Sequence, residues 1–313
     1  MQVRLPGPKT AEEIHEAAAA LIEADWLTRL QPAVCMGQVE SDAPMQSTNA
    51  FSTSLPICIP GLGFVARFRS CRQCRIGRGK PVNTLAAQRT HLSFKVSDAA
   101  IHKLLPENWE ASPSNTGPSK DANLTVVLVD LLAVQNPDAS PGETFRVAGL
   151  AIPAKKKGTE ATVPMVVGGF ASSPSYVPGP YSAFALASAT VDRHIHTDPA
   201  GKSNIDESWD FKGDDGNAIQ LQLQYVGGTA ARSKAEALPH SGINPGFYRI
   251  YRIEQAADVV RSTATGIDRA QKYAFKATGA KLAQIFDGSE QLISIVSVPF
   301  YTNQISLPEE VTQ

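Results

Sequence analysis

Cysteine is scarce in this sequence, and its placement argues against a disulfide framework. The chain has 313 residues and four cysteines, Cys35, Cys58, Cys71 and Cys74, all in the first quarter. The last two form a CxxC, "CRQC", but no second CxxC completes a structural zinc site. The glycines and proline of "RIGRGKP" also make a poor start for the helix that follows a thioredoxin-like motif. We therefore interpret Cys71 and Cys74 as reduced thiols in a surface segment.

The sequence also lacks an excess of charge, a long apolar run and a secretory pattern. The formal net charge is -1, so there is no bulk attraction to nucleic acid or anionic membranes. No apolar run approaches a membrane span, and the basic stretch "RFRSCRQCRIGRGK" lacks the interleaved aromatics of a base-stacking surface. Acidic residues interrupt the apolar residues of the N-terminal segment. We expect a cytoplasmic protein that binds neither nucleic acid nor membrane; an organelle-targeted precursor is the alternative.

A glycine-rich phosphate loop is missing as well. The "GGF" at 168–170 lacks the GxGxxG spacing and has no helix behind it, so we predict no cofactor. What is present is ordinary for a globular protein: 42% hydrophobic and 19% charged residues, in a chain long enough to bury a core.

The chain divides into two parts that differ in their pattern of apolar and polar residues. Over residues 10–30, apolar side chains recur at helical spacing, and Thr10 with Glu13 forms a capping box. An irregular connection rich in serine and proline follows, and short strands and turns come after it. We predict a helical arm with an irregular extension at 1–80 and one main domain at 81–313.

The main domain is predicted to be built of strands. "AIQLQLQYVGG" alternates strictly and predicts a half-buried strand, whereas "DAAIHKLLP" predicts a short helix that begins at Ser97 and stops at Pro106. The stretch around "DESWDFKGDDGN" is interpreted as a polar region. Strands joined in sequence by short turns favour an antiparallel sheet or barrel with peripheral helices, a mainly β fold. Further strands are predicted at "THLSFKV", "NLTVVLVDLLAV", "ETFRVAGLAIPA", "ATVPMVVGGF", "YSAFALASATVDRHIH", "FYRIYRIEQAADVVRS" and "QLISIVSVPFYTNQISLP".

Several of these pieces, in this order, resemble the acetoacetate decarboxylase-like superfamily over about residues 89–308. "IHKLLPENW" is similar to a short helix that ends in a Leu/Val-Pro-Glu step, and "LVDLLA" to the acidic strand after it. "AGLAIP" resembles the family's Gly-x-Ala-Ile-Pro strand, "MVVGG" its Val-Gly-Arg-Glu segment, and "SVPFYTNQISLP" its closing strand. The resemblance implies a closed antiparallel β-barrel around an apolar cavity, commonly in an oligomer.

The resemblance also implies a chemistry that this sequence lacks the means to perform. In the family a lysine forms a Schiff base with a ketone, and the iminium accepts electrons as a C–C bond breaks. Burial and a neighbouring cation keep that amine neutral, an effect for which acetoacetate decarboxylase is the standing example. Here the matching stretch is "GGFASSPSYVPGPYS", and no lysine occurs between Lys157 and Lys202. We therefore predict a divergent member without the Schiff-base lysine.

Other family positions are only partly kept, and they supply the candidate site. Val147 stands where the family has a glutamate, and Phe170 ends the Gly-Gly-Phe that replaces Gly-Arg-Glu. Asp130 falls at a family cavity glutamate, Arg89 lies near a family cavity arginine, and Tyr176 lies in the active-site loop. We predict Asp130 as a proton carrier, Arg89 as an anion clamp and Tyr176 as an oxyanion donor.

Four further residues are predicted to contact the substrate: Arg146, Tyr181, Phe170 and Met165. Arg146 is suited to bidentate carboxylate binding, although an arginine at a strand end is as often part of an outer-face ion pair. Tyr181 shares the Pro/Gly-rich loop of Tyr176, which is alternatively a rigid lid.

Two sequence features offer other interpretations. In "TVDRHIHTD", alternation places His194 and His196 on one strand face, so His194 is a candidate general base, and the pair a candidate metal half-site. The alternative is a solvated strand end. The three lysines of "AIPAKKKGTEATVPM", Lys155 to Lys157, lie between two apolar strands and before Gly158, which predicts a hairpin tip and not a nucleophile.

Together these observations predict an enzyme for a small carbonyl acid or polyketide-like substrate, within specialised metabolism. It would act by acid/base catalysis and oxyanion stabilisation in decarboxylation, dehydration or cyclisation, as a lyase-like homo-oligomer. Two alternatives stay open: a non-catalytic small-molecule-binding protein on the same fold, and a metal-dependent enzyme that uses the His194/His196 strand.

Overall fold

The computed structural model describes residues 79–309. The predicted helix at 10–30 and the four cysteines lie outside the described residues. Within 79–309, no helix is long and apolar enough to cross a membrane.

The described residues form fourteen strands, one α-helix and two short 3-10 turns. The helix α1 spans Asp98–Leu104, and the 3-10 turns span Pro174–Tyr176 and Leu282–Gln284. The strands are β1 Lys80–Lys95, β2 Trp109–Ala111, β3 Leu124–Gln135, β4 Arg146–Lys156, β5 Thr162–Ala171, β6 Phe184–Thr197, β7 Ser203–Gly213, β8 Ala218–Val226, β9 Ala231–Ala237, β10 His240–Ser241, β11 Ile250–Ser262, β12 Ile267–Asp268, β13 Ala270–Thr278 and β14 Gln291–Leu307.

The strands make one large sheet in the order β12-β11-β14-β1-β3-β4-β5-β6-β7-β8-β13, with β2, β9 and β10 attached at its sides. Most pairs are antiparallel, as predicted; β5 pairs in parallel with both β6 and β10. The mainly β class is therefore confirmed. The pairings of residues 79–309 form an open path, so a barrel closed by strand pairing stays a prediction.

The two ends of this path are joined by a single residue, Arg269. β12 pairs with β11 and β13 pairs with β8, and Arg269 stands between β12 and β13 in the chain. Its backbone N–H donates to the Val260 carbonyl at 2.9 Å, and its carbonyl accepts from the Val226 N–H at 3.1 Å. The guanidinium of Arg269 also pairs with the buried carboxylate of Asp258. We call this junction the seam.

The sheet has two different faces, which β3 illustrates. Alternation sends Leu124, Val126 and Leu128, each 0% exposed, into the main core. The residues between them, Val127 and Val129, face the other side and belong to a smaller apolar cluster. One face thus provides the stability of a packed core, and the other provides the wall of a cavity.

The stretch interpreted as polar from the sequence is in fact a strand, β7. Its acidic and basic residues alternate with Ile205, Trp209 and Phe211, all of which are buried. Glu207 lies on the same buried face of the strand and is 1% exposed. Its burial is tolerated because Arg193 and Thr90 bind its carboxylate. The polar composition hid the period-two pattern.

The neighbouring elements follow their sequence patterns. Strictly alternating β8 buries Ile219, Leu221, Leu223 and Tyr225. The helix α1 begins after Ser97, as predicted, and buries Ile101 against the core. A final strand, β14, lies between β1 and β11 and bulges around Pro299, where the pairing with both neighbours shifts register.

Candidate functional site

A cavity of about 410 Å³ lies against the smaller apolar face of the sheet. Its wall is mostly aliphatic and aromatic, and β1, β3, β4, β11 and β14 contribute to it together with the loop after β5. Apolar lining residues include Leu85, Val127, Val129, Leu131, Phe145, Val147, Val166, Phe184, Ile253 and Ile305. This size and character are typical of a small-molecule site.

Within the apolar wall lie polar atoms that are buried and unpaired. Among the described residues, Arg89 Nε, Arg249 Nε, His91 Nε2 and Asn83 Oδ1 have no hydrogen-bond partner, and all four residues line this cavity. Buried polar atoms in folded proteins almost always have partners, because leaving them unsatisfied costs free energy. Unpaired groups concentrated on one cavity wall therefore indicate the place where a polar ligand binds.

His91 is neutral at physiological pH. Burial, and secondarily the charge of Arg89, lowers the pKa of His91 to about 3. His91 lines the cavity. A neutral imidazole can donate one hydrogen bond to a ligand without carrying charge.

Four tyrosines surround the same space: Tyr176, Tyr181, Tyr251 and Tyr301. Burial is the main cause that raises the pKa of Tyr176, of Tyr181 and of Tyr301, so these phenols stay protonated. The Tyr181 hydroxyl donates to the Tyr251 hydroxyl at 2.9 Å, which leaves the Tyr251 proton for a group in the cavity. The Arg89 guanidinium lies 4.1 Å from the centre of the Tyr301 ring, a cation–π contact.

The loop that carries Tyr176 and Tyr181 is held in a defined shape. The Tyr176 ring packs between Phe145 and Phe184, with centroid distances of 4.6 and 5.7 Å. Gly179 has φ +73°, and a Cβ there would lie 2.8 Å from Phe184 and 2.9 Å from the Tyr176 carbonyl, so glycine is required. Ser241 Oγ donates to the Tyr181 carbonyl at 2.6 Å.

Strand register orders the polar groups along the cavity. Arg89 is level with Val298 of β14. Ile250, the residue after Arg249, is level with Ser306, eight residues further along β14. Tyr251 and Tyr301 lie between these two levels, and His91 lies beyond Arg89 at the far end.

The mouth of the cavity carries an acid. Glu143 is exposed, and its carboxylate accepts a 2.5 Å hydrogen bond from Ser175 Oγ. Hydrogen bonds from Ser175 and Ser173 lower the pKa of Glu143. Glu143 therefore stays ionised at the exposed rim of the cavity.

Three of the residues predicted from the sequence line this cavity: Arg89, Tyr176 and Tyr181. Asp130 does not line it. It is directly opposite Arg146 across β3 and β4, and Arg146 Nε donates to its carboxylate at 3.0 Å. Asp130 shares the parity of Val126 and Leu128, which point away from the cavity. Arg146 thus has the outer-face ion pair that was its alternative.

Phe170 and Met165 are placed in the main core, where they are 3% and 0% exposed. His194 and His196 are exposed on β6, in the hairpin that β6 forms with β7. The structure thus places all four side chains outside the cavity wall. Among residues 79–309, no group of three or more His, Cys, Asp or Glu residues could hold a metal ion.

The three lysines form the predicted hairpin tip. Lys155 and Lys156 end β4, Lys157 lies in the turn, and β5 begins at Thr162. Lys155 pairs with Glu110 at 3.6 Å on the neighbouring β2. Of the lysines in the described residues, none lines the cavity.

Sequence reasoning missed His91, Arg249, Asn83 and the roles of Tyr251 and Tyr301. A signal for His91 was present, because it stands two residues after Arg89 on a predicted strand and so shares its face. The alternation in "FYRIYRIEQ" also places Arg249 and Tyr251 on one face. What was missing was the information on which face was concave.

A second cavity of about 200 Å³ lies on the side of β1 that carries Gln88. It is lined by Arg193, Glu207 and Asp258 among others. Apart from Arg89, which lines both cavities, the charged groups here are paired: Arg193 Nε lies 3.2 Å from Glu207, its other end contacts Gln88, and Asp258 pairs with Arg269. This region carries charges that support the fold.

Comparison with solved structures finds similar proteins, some of which are named as acetoacetate decarboxylases or acetoacetate decarboxylase-like enzymes. An acetoacetate decarboxylase-like enzyme from Sphingomonas wittichii RW1 has a TM-score of 0.47 at 10% identity, over 73% of this chain and 92% of that chain. The enduracididine biosynthesis enzyme MppR has a TM-score of 0.46 at 8% identity, over 73% and 86%. Acetoacetate decarboxylase from Legionella pneumophila subsp. pneumophila str. Philadelphia 1 has a TM-score of 0.43 at 8% identity, over 73% and 86%.

These likenesses have TM-scores below 0.5, so no activity or residue role is transferred from them. No protein-family model and no curated protein matches the sequence.

Proposed function

We propose that this chain is an enzyme that binds a small carbonyl acid in the 410 Å³ cavity and stabilises negative charge on its carbonyl oxygen. The observation that carries the proposal is the set of buried, unpaired polar atoms on an otherwise apolar wall: Arg89 Nε, Arg249 Nε, His91 Nε2 and Asn83 Oδ1. The carbonyl-acid class comes from the motif resemblance in the sequence.

Arg89 has the role of anion clamp in this proposal. Its guanidinium is held against the Tyr301 ring, and no acidic side chain of the described residues pairs with it. A fixed planar fork of donors suits a carboxylate. His91, two residues along the same strand, adds a neutral hydrogen-bonding group beside it.

The tyrosines provide the oxyanion site. Tyr251 accepts a hydrogen bond from Tyr181, so its own O–H can donate to a carbonyl oxygen of the substrate. Donors fixed in an apolar cavity stabilise a developing negative charge more than they would in water. Tyr176, which also lines the cavity, is the second donor.

This arrangement suits decarboxylation, dehydration or cyclisation, since each develops charge on a carbonyl oxygen. It requires no Schiff base. The test is to incubate the purified full-length chain with a panel of 3-oxo acids and β-hydroxy ketones and to follow substrate and product by NMR. We expect turnover that falls at least tenfold in Arg89→Met and in Tyr251→Phe, with folding checked by thermal melting.

The control is Lys156→Gln at the exposed hairpin tip, which should retain full activity. Borohydride reduction in the presence of a 3-oxo acid should give no covalent adduct by mass spectrometry. An adduct would overturn the mechanism without a lysine, and binding without any turnover across the panel would assign the chain as a binding protein instead.

A further inference from the structure

The main cavity holds two cationic side chains, Arg89 and Arg249, and both have a buried Nε without a partner. Glu143 is the one acidic residue of the described chain that lines the same cavity, and it is exposed at the rim with Ser175 bound to it. Both residues are partly buried, and guanidinium groups in this position that no carboxylate of residues 79–309 pairs with are costly for the empty protein.

The contrast with other arginines of the molecule makes this arrangement informative. Arg193 lines the second cavity and is paired with Glu207, and Arg269 at the seam is paired with Asp258. This fold supplies carboxylates to arginines that support its structure. Among residues 79–309, it supplies none to the two arginines in the main cavity, which leaves their counter-charges to a ligand.

The two arginines enter the cavity from distant backbone positions. Arg89 is opposite Val298 of β14, and Ile250, the residue after Arg249, is opposite Ser306 of the same strand. Eight residues of strand correspond to roughly 25 Å along the backbone, shortened here by the β14 bulge and by the side chains that reach inward. This backbone separation favours two separate anion positions over one carboxylate chelated by both arginines.

Between these positions lie groups suited to a neutral, polar centre. Tyr251 and Tyr301 occupy the intervening levels. Burial mainly raises the pKa of Tyr176, and both Arg89 and Arg249 oppose that rise, so this phenol lies within electrostatic reach of both cations. The order along the cavity is therefore cation, hydroxyl donors, cation.

We propose that the ligand of this cavity is a dianion: a small dicarboxylate with a carbonyl between its ends, one end bound by Arg89 and the other by Arg249. This inference rests on the proposed function for the carbonyl, but the two-anion requirement follows from the arginines alone.

The test uses calorimetric titration of the full-length chain with unreactive linear dicarboxylates from succinate to pimelate. Each is compared with the monocarboxylate that has a methyl in place of one carboxylate, for example glutarate with butyrate. At pH 7.5 and constant ionic strength, we expect one chain length to bind at least tenfold more tightly than its monocarboxylate. Arg89→Gln and Arg249→Gln should each reduce the dicarboxylate affinity to that of the monocarboxylate.

The matched control is Arg232→Gln, an exposed arginine on β9 that pairs with Glu254, which should leave both affinities unchanged. A dicarboxylate series that binds no more tightly than the monocarboxylates overturns the inference. If 3-oxobutanoate is turned over but dicarboxylates bind no more tightly than monocarboxylates, the proposed function stands and the inference of a dianionic ligand is wrong. If neither 3-oxobutanoate nor 3-oxopentanedioate is bound or converted, the proposed function itself fails.

Discussion

The two cavities of this protein treat buried charge in opposite ways. Around the smaller one, Glu207 and Asp258 are almost inaccessible, and each is bound by an arginine. In the larger one, no carboxylate of residues 79–309 pairs with Arg89 or Arg249, and Arg89, which lines both cavities, packs on the Tyr301 ring instead. The difference teaches that pairing, more than burial, separates a charge that supports the fold from one reserved for a ligand.

The comparison predicts its largest effect at Arg193. Arg193→Met leaves the Glu207 carboxylate buried without its cation, so the free energy of unfolding should fall by roughly 3–5 kcal/mol. Urea denaturation followed by circular dichroism measures this. Lys281→Ala, which breaks an exposed pair with Asp215, should cost no more than about 1 kcal/mol. Equal losses of unfolding free energy in the two variants would show that the buried Arg193–Glu207 pair contributes no more to stability than an exposed pair.

The second effect is a pH dependence from His91. Its pKa is lowered to about 3 in the folded protein from 6.5, so the unfolded chain takes up the proton first as pH falls. The unfolding free energy therefore carries no penalty from His91 above pH 6.5. Below that pH it falls, by about 2 kcal/mol between pH 7 and 5. The unfolding free energy of His91→Gln should lack this decline.

The control for that measurement is His102→Gln, an exposed histidine on α1, whose pH profile should match that of the wild type. A wild-type profile that is flat from pH 7 to 5 would contradict the enclosed position of His91.

The same substitution, arginine to methionine, at Arg89 in the main cavity gives the most direct comparison with Arg193→Met. Arg89→Met removes a partly buried guanidinium with no carboxylate partner among residues 79–309 and keeps an apolar side chain against the Tyr301 ring, so the unfolding free energy should stay constant or rise by about 1 kcal/mol. Activity should be lost at the same time. Destabilisation of the size expected for Arg193→Met would mean that Arg89 also supports the fold.

The smallest effect is expected at the hairpin tip. Lys156→Gln with Lys157→Gln should change the unfolding free energy by less than about 0.5 kcal/mol, because both side chains are exposed. Turnover should be unchanged. A loss of activity in this double variant would return the lysines to consideration as catalytic groups.

Most of the fold follows from local sequence patterns, whereas most of the site does not. Alternation located β8, and β-branched runs located β3 and β5, because their buried faces are continuous in sequence. β7 was missed because its apolar positions alternate with acids and a lysine, and one buried position is itself Glu207. Such a position is explained only by Arg193 on the neighbouring strand.

The candidate site depends on which face of the sheet encloses the cavity, and no local pattern encodes that. Asp130 and Arg89 are one position apart in cross-strand register, so alternation puts them on opposite faces, and only the tertiary structure shows that the cavity lies on the side of Arg89. Motif order was sufficient to select Arg89, Tyr176 and Tyr181. The helical arm at 1–80, the homo-oligomer, the cytoplasmic location and a role in specialised metabolism stay predictions.

The position of β14 has a consequence for how the chain is made. This last strand lies in the interior of the sheet, and it pairs Leu307 with Lys80 at the start of β1. During synthesis, the edges of β1 and β11 that pair with β14 therefore stay unpaired until almost the whole described chain has been translated. Contacts so distant in sequence form slowly, and open edges invite pairing with other chains. A ribosome that stalls before β14 would release a chain prone to aggregation, and removal of these last residues should abolish soluble expression.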